Sequence, residues 1–197
     1  MTPGRAARLE RVTKETSIEL ELDLERPSDP DVSTGIGFLD HMIAQMAKHS
    51  GIGLRLRARG DLDVDNHHLV EDTGIALGEA LAEALGDKEG LNRFGAALVP
   101  LDEALAEVAL DLSGRPFLRY QVPNLGVLGQ FDLWLLEHFF QSLVNSAKVT
   151  LHVALREGSN PHHCAEAIFK AFGRALGDAI RPDTRYTSVV PSTKGRL

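Results

Sequence analysis

Two segments of this chain carry one five-residue pattern, a histidine pair followed by a glutamate. They are His67, His68 and Glu71 within DNHHLVED, and His162, His163 and Glu166 within NPHHCAEA. Imidazole and carboxylate together suit divalent Mn, Fe, Zn or Co better than calcium or cuprous ions. On a helix, residues four apart share a face, so His67 stands over Glu71 and His162 over Glu166, while His68 and His163 point elsewhere. Each block therefore offers ligands in two directions. One ion could take His67, Glu71 and the off-axis His163, and a second could take His162, Glu166 and His68. His41 and His138 would complete the two sets, which uses six of the eight histidines. The neighbouring acids Asp40, Glu137, Asp65 and Asp72 are candidates to hold the far ring nitrogens. The blocks open different helices, so the ligands could converge within a chain or across a subunit interface. Sharing across an interface would favour a closed symmetric oligomer. His49 and His152 have no such counterparts.

The elements that must position these residues are legible from periodicity. Ile18, Leu20, Leu22 and Leu24 alternate with acids, and Leu54, Leu56 and Ala58 alternate with arginines. Leu151, Val153 and Leu155 alternate in the same way, and AEVALDLSGRPFL reads as a further strand turning at Gly114. Between the strands the period lengthens: Leu39, Met42, Ile43 and Met46 predict one amphipathic helix, and Leu136, Phe139, Phe140 and Leu143 another. Helices also follow the two HHxxE blocks and end near Gly86 and Pro182. Offset by 95 residues, 67–86 and 162–181 agree at eight of twenty positions, and FLDHMIAQ from Phe38 corresponds to LLEHFFQS from Leu135. This is an internal duplication. The predicted fold class is α+β, with half-repeats over 1–90 and 91–197 joined near Gly90–Val99 into one compact catalytic unit.

Composition narrows the function classes. With 43% hydrophobic residues in 197, the chain can bury a core, and a net charge of -7 argues against a nucleic-acid surface. An anionic ligand would need a local basic cluster. No apolar run approaches the roughly 20 residues that span a bilayer, and MTPGRAARLERVTKE lacks the apolar centre of a signal peptide. The single cysteine, Cys164, fits a reducing compartment. A cytoplasmic location with no membrane partner is expected.

Longer motifs then carry a resemblance. RVTKET from Arg11, GFLDHM from Gly37, DNHHLVEDTGIALGEAL from Asp65, NRFG from Asn92, LDLSGRP from Leu110, EHFFQSL from Glu137, HHCAEAIFKAFGRAL from His162 and PSTKG from Pro191 are similar to the imidazoleglycerol-phosphate dehydratases of histidine biosynthesis. The resemblance covers essentially the whole chain. Leu69, where threonine is common, and Thr193, where serine is usual, depart from it without removing a ligand. It implies halves with β-β-β-α-β-α order, like the second domain of ribosomal protein S5, with helices on one face of each sheet. It also implies a 24-subunit shell with two Mn(II) ions per active site, shared between subunits; some members are fused to a phosphatase, and at 197 residues no fused phosphatase domain is expected here. His41, His67, His68, Glu71, His138, His162, His163 and Glu166 become metal ligands by that resemblance. Glu15, with His41 and Glu166, falls to catalysis, and Arg93, Arg115, Lys170, Ser192 and Lys194 to the substrate phosphate.

The implied reaction turns imidazole glycerol phosphate into imidazole acetol phosphate. The proton to be lost lies beside no carbonyl, so a base alone is too slow. Gripping both nitrogens of the imidazole would favour its imidazolate, which can expel the neighbouring hydroxide to a diazafulvene-like species. The adjacent C–H then becomes acidic, and an enol forms and ketonises. Two alternative classes share the ligands: a binuclear phosphoester hydrolase, usually richer in Asp, and a metal-bridged scaffold, which would keep no open coordination position.

Overall fold

The computed structural model describes residues 4–186, 189–195 and 197. In the first half, β1 (Ala6–Val12), β2 (Thr16–Asp23) and β3 (Asp31–Ser33) precede α1 (Gly37–Ser50), β4 (Gly53–Gly60) and α2 (His67–Leu85). The second half repeats the order with β5 (Phe94–Leu101), β6 (Ala104–Asp111) and β7 (Phe117–Gln121). A small hairpin, β8 (Val127–Leu128) and β9 (Phe131–Asp132), intervenes before α3 (Leu135–Ala147), β10 (Thr150–Glu157) and α4 (Pro161–Ala179). The sheets run β1-β2-β4-β3 and β5-β6-β10-β7, so strand order is conserved between halves. The expected β-β-β-α-β-α repeat is present, with the hairpin as an insertion in the second copy. The segment AEVALDLSGRPFL is two strands, β6 and β7, since Ser113–Pro116 reverse the chain and β7 pairs with β10 instead.

Alternation explains the sheets: β2 buries every second residue, and Ile18, Leu20 and Leu22 are each 4% exposed or less. The helices pack across the halves. α2 lies on β1 and β2 and against α3, while α4 lies on β5 and β6 and against α1. Glycines permit those close crossings. A Cβ at Gly78 would lie 2.5 Å from the Leu143 carbonyl oxygen, and one at its repeat mate Gly173 would lie 2.5 Å from that of Met46. One hydrophobic core results, and Phe139, Phe140, Phe169 and Phe172 are its largest buried side chains. The exchange of partners has a consequence for the ligands. Each helix opened by an HHxxE block touches the histidine-bearing helix of the other half.

Candidate metal centre and anion cleft

His162 and Glu166 occupy the first turns of α4, where the Asn160 side chain accepts the His162 and His163 backbone N–H groups and Pro161 preorganises the start. His41 arrives from α1. The Nε2 atoms of His41 and His162 lie 3.2 and 3.1 Å from the same oxygen of Glu166, Oε2. The three ligand atoms fall within 4.8 Å of one another. Bonds of about 2.0–2.2 Å to one ion require donors this close, so the group fits a transition-metal site. Its other carboxylate oxygen takes the Lys170 ammonium at 2.7 Å. Burial would raise the Glu166 carboxyl, but Lys170, His41 and His162 bring it down to about 2.

The pseudo-equivalent group is built from α2 and α3. The rings of His67 and His138 stand 4.9 Å apart, and Trp134 packs in a tilted contact on His138 at 4.1 Å. Glu71 is half-buried one helical turn beyond His67. Beside the α4 group, Phe38 touches both His162 and Phe131.

His68 and His163, the off-axis members, join neither group in their own chain. Nδ1 of His68 lies 3.0 Å from Asp61 and 3.9 Å from Glu15, and Nδ1 of His163 lies 2.8 Å from Glu103 and 3.9 Å from Asp102. These carboxylates raise the affinity of both rings for a proton, chiefly through the hydrogen bonds that Asp61 and Glu103 accept from them. A carboxylate at Nδ1 also fixes the ring and leaves Nε2 free as a more basic ligand. Glu103 accepts further bonds from the backbone of Ser159 and Asn160, and its carboxyl lies at about 2, held down first by His163.

Sequence reasoning missed Asp61 and Glu103. The acids it nominated have other partners: Asp40 accepts from Thr34, Asp65 from the His67 backbone, and Asp72 from Arg11 and Thr16. Glu137 is exposed on α3. Asp61 follows a strand and Glu103 sits in a hairpin turn, so no helical spacing marks them. Glu15 is exposed in the β1–β2 turn, where Thr13 Oγ1 accepts its backbone N–H.

Four of the five phosphate candidates gather elsewhere. Arg93, Arg115, Ser192 and Lys194 line one cleft of about 770 Å³ with Asn92 and Phe94. The Arg93 guanidinium bonds both oxygens of Asp111, at 2.7 and 3.1 Å, and donates to the Pro191 carbonyl at 2.7 Å. Its fork therefore ties the end of β6 to the C-terminal segment that presents Ser192 and Lys194. Arg115 is exposed beside it, 4.0 Å from Asp111. Lys170 is absent from this cleft and belongs to the α4 metal group.

The sequence model for imidazoleglycerol-phosphate dehydratase matches residues 34–176. The chain belongs to the imidazoleglycerol-phosphate dehydratase family. The protein of that name from Granulibacter bethesdensis is 52% identical over 194 residues, covering 98% of this chain and 99% of the relative. The one from Acidithiobacillus ferrooxidans is 53% identical, with 98% of each covered. Among solved structures, the Staphylococcus aureus dehydratase superposes with TM-score 0.82 at 39% identity, over 90% of this chain and 99% of that one. The dehydratase from Pyrococcus furiosus, solved with (S)-C348, gives 0.83 at 38% identity over 96% and 100%. Like other members this chain is α+β throughout, and among the described residues no helix is long and apolar enough to cross a membrane.

Proposed function

We propose that this chain dehydrates imidazole glycerol phosphate to imidazole acetol phosphate in histidine biosynthesis, in sites holding two Mn(II) ions and shared between subunits of a 24-subunit cytoplasmic shell. The observation that carries the reading is the convergence of His41, His162 and Glu166 from the two halves onto one point. Divalent ions bound to the two ligand groups would supply Lewis acidity to the two nitrogens of the substrate ring, easing the flow of ring electrons toward the carbon bearing the hydroxyl.

The residues divide the remaining work. His67, Glu71 and His138 form one ligand group and His41, His162 and Glu166 the other, each with an open side for a histidine from a neighbouring subunit. His68 and His163 fill that need, since Asp61 and Glu103 occupy their Nδ1 atoms and leave Nε2 as the ligand atom. Glu15, exposed and 3.9 Å from His68, moves the proton at the reacting carbons. Lys194, Arg115 and Ser192 hold the phosphate, with Arg93 fixing the segment that carries two of them.

Two features support sharing between subunits. The Arg93 N–H bonds the Ala179 carbonyl at the last turn of α4, whereas His162 opens that helix. At 1.5 Å per residue the cleft and the metal group of one chain lie about 25 Å apart, beyond the span of one small phosphorylated molecule. The outer faces of the sheets also differ. That of the first is crossed by ion pairs, Arg8 and Arg55 to Glu21 and Arg57 to Asp31, whereas the second exposes Phe94 (54%), Leu98 (60%) and Phe117 (53%). Such a patch on a soluble protein marks a contact surface.

Incubation of the metal-loaded enzyme with imidazole glycerol phosphate should yield the ketone without free phosphate. Phosphate release without ketone would instead mark a hydrolase. K194E should raise KM strongly while leaving metal content intact, and an unchanged KM would remove Lys194 from the phosphate site.

A further inference from the structure

The repeat places the two ligand groups in register, so their surroundings can be compared position by position. Four positions beyond Glu166 stands Lys170, and at the matching position beyond Glu71 stands Ile75. Lys170 is 18% exposed and sits 2.7 Å from Glu166 Oε1. The Glu166 carboxylate thus has one oxygen on an ammonium and the other facing His41 and His162, so it can offer an ion only one oxygen. Among the described residues no cation pairs with Glu71 in the corresponding way.

A second difference runs the same way. Asp65 accepts the His67 backbone N–H at 2.7 Å, and its mate Asn160 does the same for His162 at 2.9 Å, one with a negative charge and the other with none. Several other charges beside the ligands match between the two groups. His41 and His138 each follow one acid, Asp40 and Glu137. His68 and His163 each bring one close carboxylate and one at 3.9 Å. Asp72, which has Ala167 as its mate, is matched by Arg11 at 2.9 Å.

We infer that the two metal positions are unequal: the His67–Glu71–His138 group takes a divalent ion more tightly than the His41–His162–Glu166 group, and Lys170 sets most of the difference. This rests on the dimetal reading above. An ion on Glu166 Oε2 lies roughly 6 Å from the ammonium, given metal–oxygen bonds of about 2.1 Å. Even in a water-like dielectric the repulsion between a unit and a double charge at that distance amounts to about a tenfold loss of affinity, and more where solvent is excluded. Asp65 is exposed and screened, so its share is smaller.

The test is titration of metal-stripped, full-length protein with Mn(II), with free Mn(II) followed by electron paramagnetic resonance. Two ions per chain are expected, in two classes at least about tenfold apart. K170M should tighten the weaker class toward the stronger, and I75K should weaken the stronger. Two ions bound with one affinity, or a gap that K170M leaves intact, overturn the inequality while sparing the dimetal reading. Fewer than two ions per chain overturn both.

Discussion

The β1–β2 and β5–β6 turns occupy equivalent places in the two halves. The pairings Ala6↔Asp23 and Phe94↔Asp111 set the same register, which superposes Glu15 on Glu103. Both acids stand beside the second histidine of a block, yet their environments have diverged. Glu103 is 2.8 Å from His163 and held by two backbone N–H groups, whereas Glu15 is 3.9 Å from His68 and exposed. The strand end explains it. In the first half β4 ends in Gly60 followed by Asp61, and Asp61 takes the histidine; in the second the chain reads Gly158-Ser159, and serine brings no carboxylate. Ser159 instead donates to Glu103. Asp61 takes up the orientation of His68, and in the mechanism proposed above this leaves the turn glutamate, Glu15, for proton transfer.

That contrast predicts opposite behaviour for two chemically identical substitutions. E15Q should lower turnover by about 10²–10⁴-fold with Mn(II) content and particle size unchanged, as seen by steady-state kinetics and metal analysis. Full turnover would return Glu15 to the status of its twin. E103Q should act through the metal, costing about 10–100-fold in affinity and recovering activity as Mn(II) is raised. A loss that excess metal does not relieve would erase the distinction. S159D in the E103Q background sharpens it further: a carboxylate placed as in the first half should restore several-fold of the lost affinity.

A smaller effect follows from acidity. Both off-axis histidines have proton affinities raised above the ordinary value of 6.5, and a protonated ring binds no metal. Mn(II) affinity should therefore begin to fall on acidification at pH values above 6.5, with D61N and E103Q shifting that onset downward. The same pairs act oppositely on the metal-free fold. Their stabilisation is full below the unfolded value and is lost as pH rises through the folded one. Thermal denaturation with and without metal across this range would separate the two.

Much of this arrangement was legible in the sequence, for identifiable reasons. The HHxxE spacing dictates that His162 and Glu166 share a face, and the structure puts them 3.1 Å apart. The alternation of Ile18 to Leu24 and the 3.6-residue periods located strands and helices because one face of each is buried. What stayed hidden depends on tertiary packing. The α1–α4 and α2–α3 exchange, which joins His41 to the opposite half, leaves only indirect marks at Gly78 and Gly173. Asp61 and Glu103 approach their histidines across loops of no fixed period. The split between Lys170 and the other basic residues appears only once α4 has a direction, with Lys170 and Glu166 toward its start and Arg93 bound at its last turn.

That last separation has a genetic corollary. With sites shared between subunits as proposed, a chain altered at His162 loses a ligand at the start of α4 and a chain altered at Lys194 loses the cleft beside its last turn, so neither alone would complete a site. Co-expressed, mixed particles would bring an intact end from each parent together, and part of the activity would return from two dead alleles.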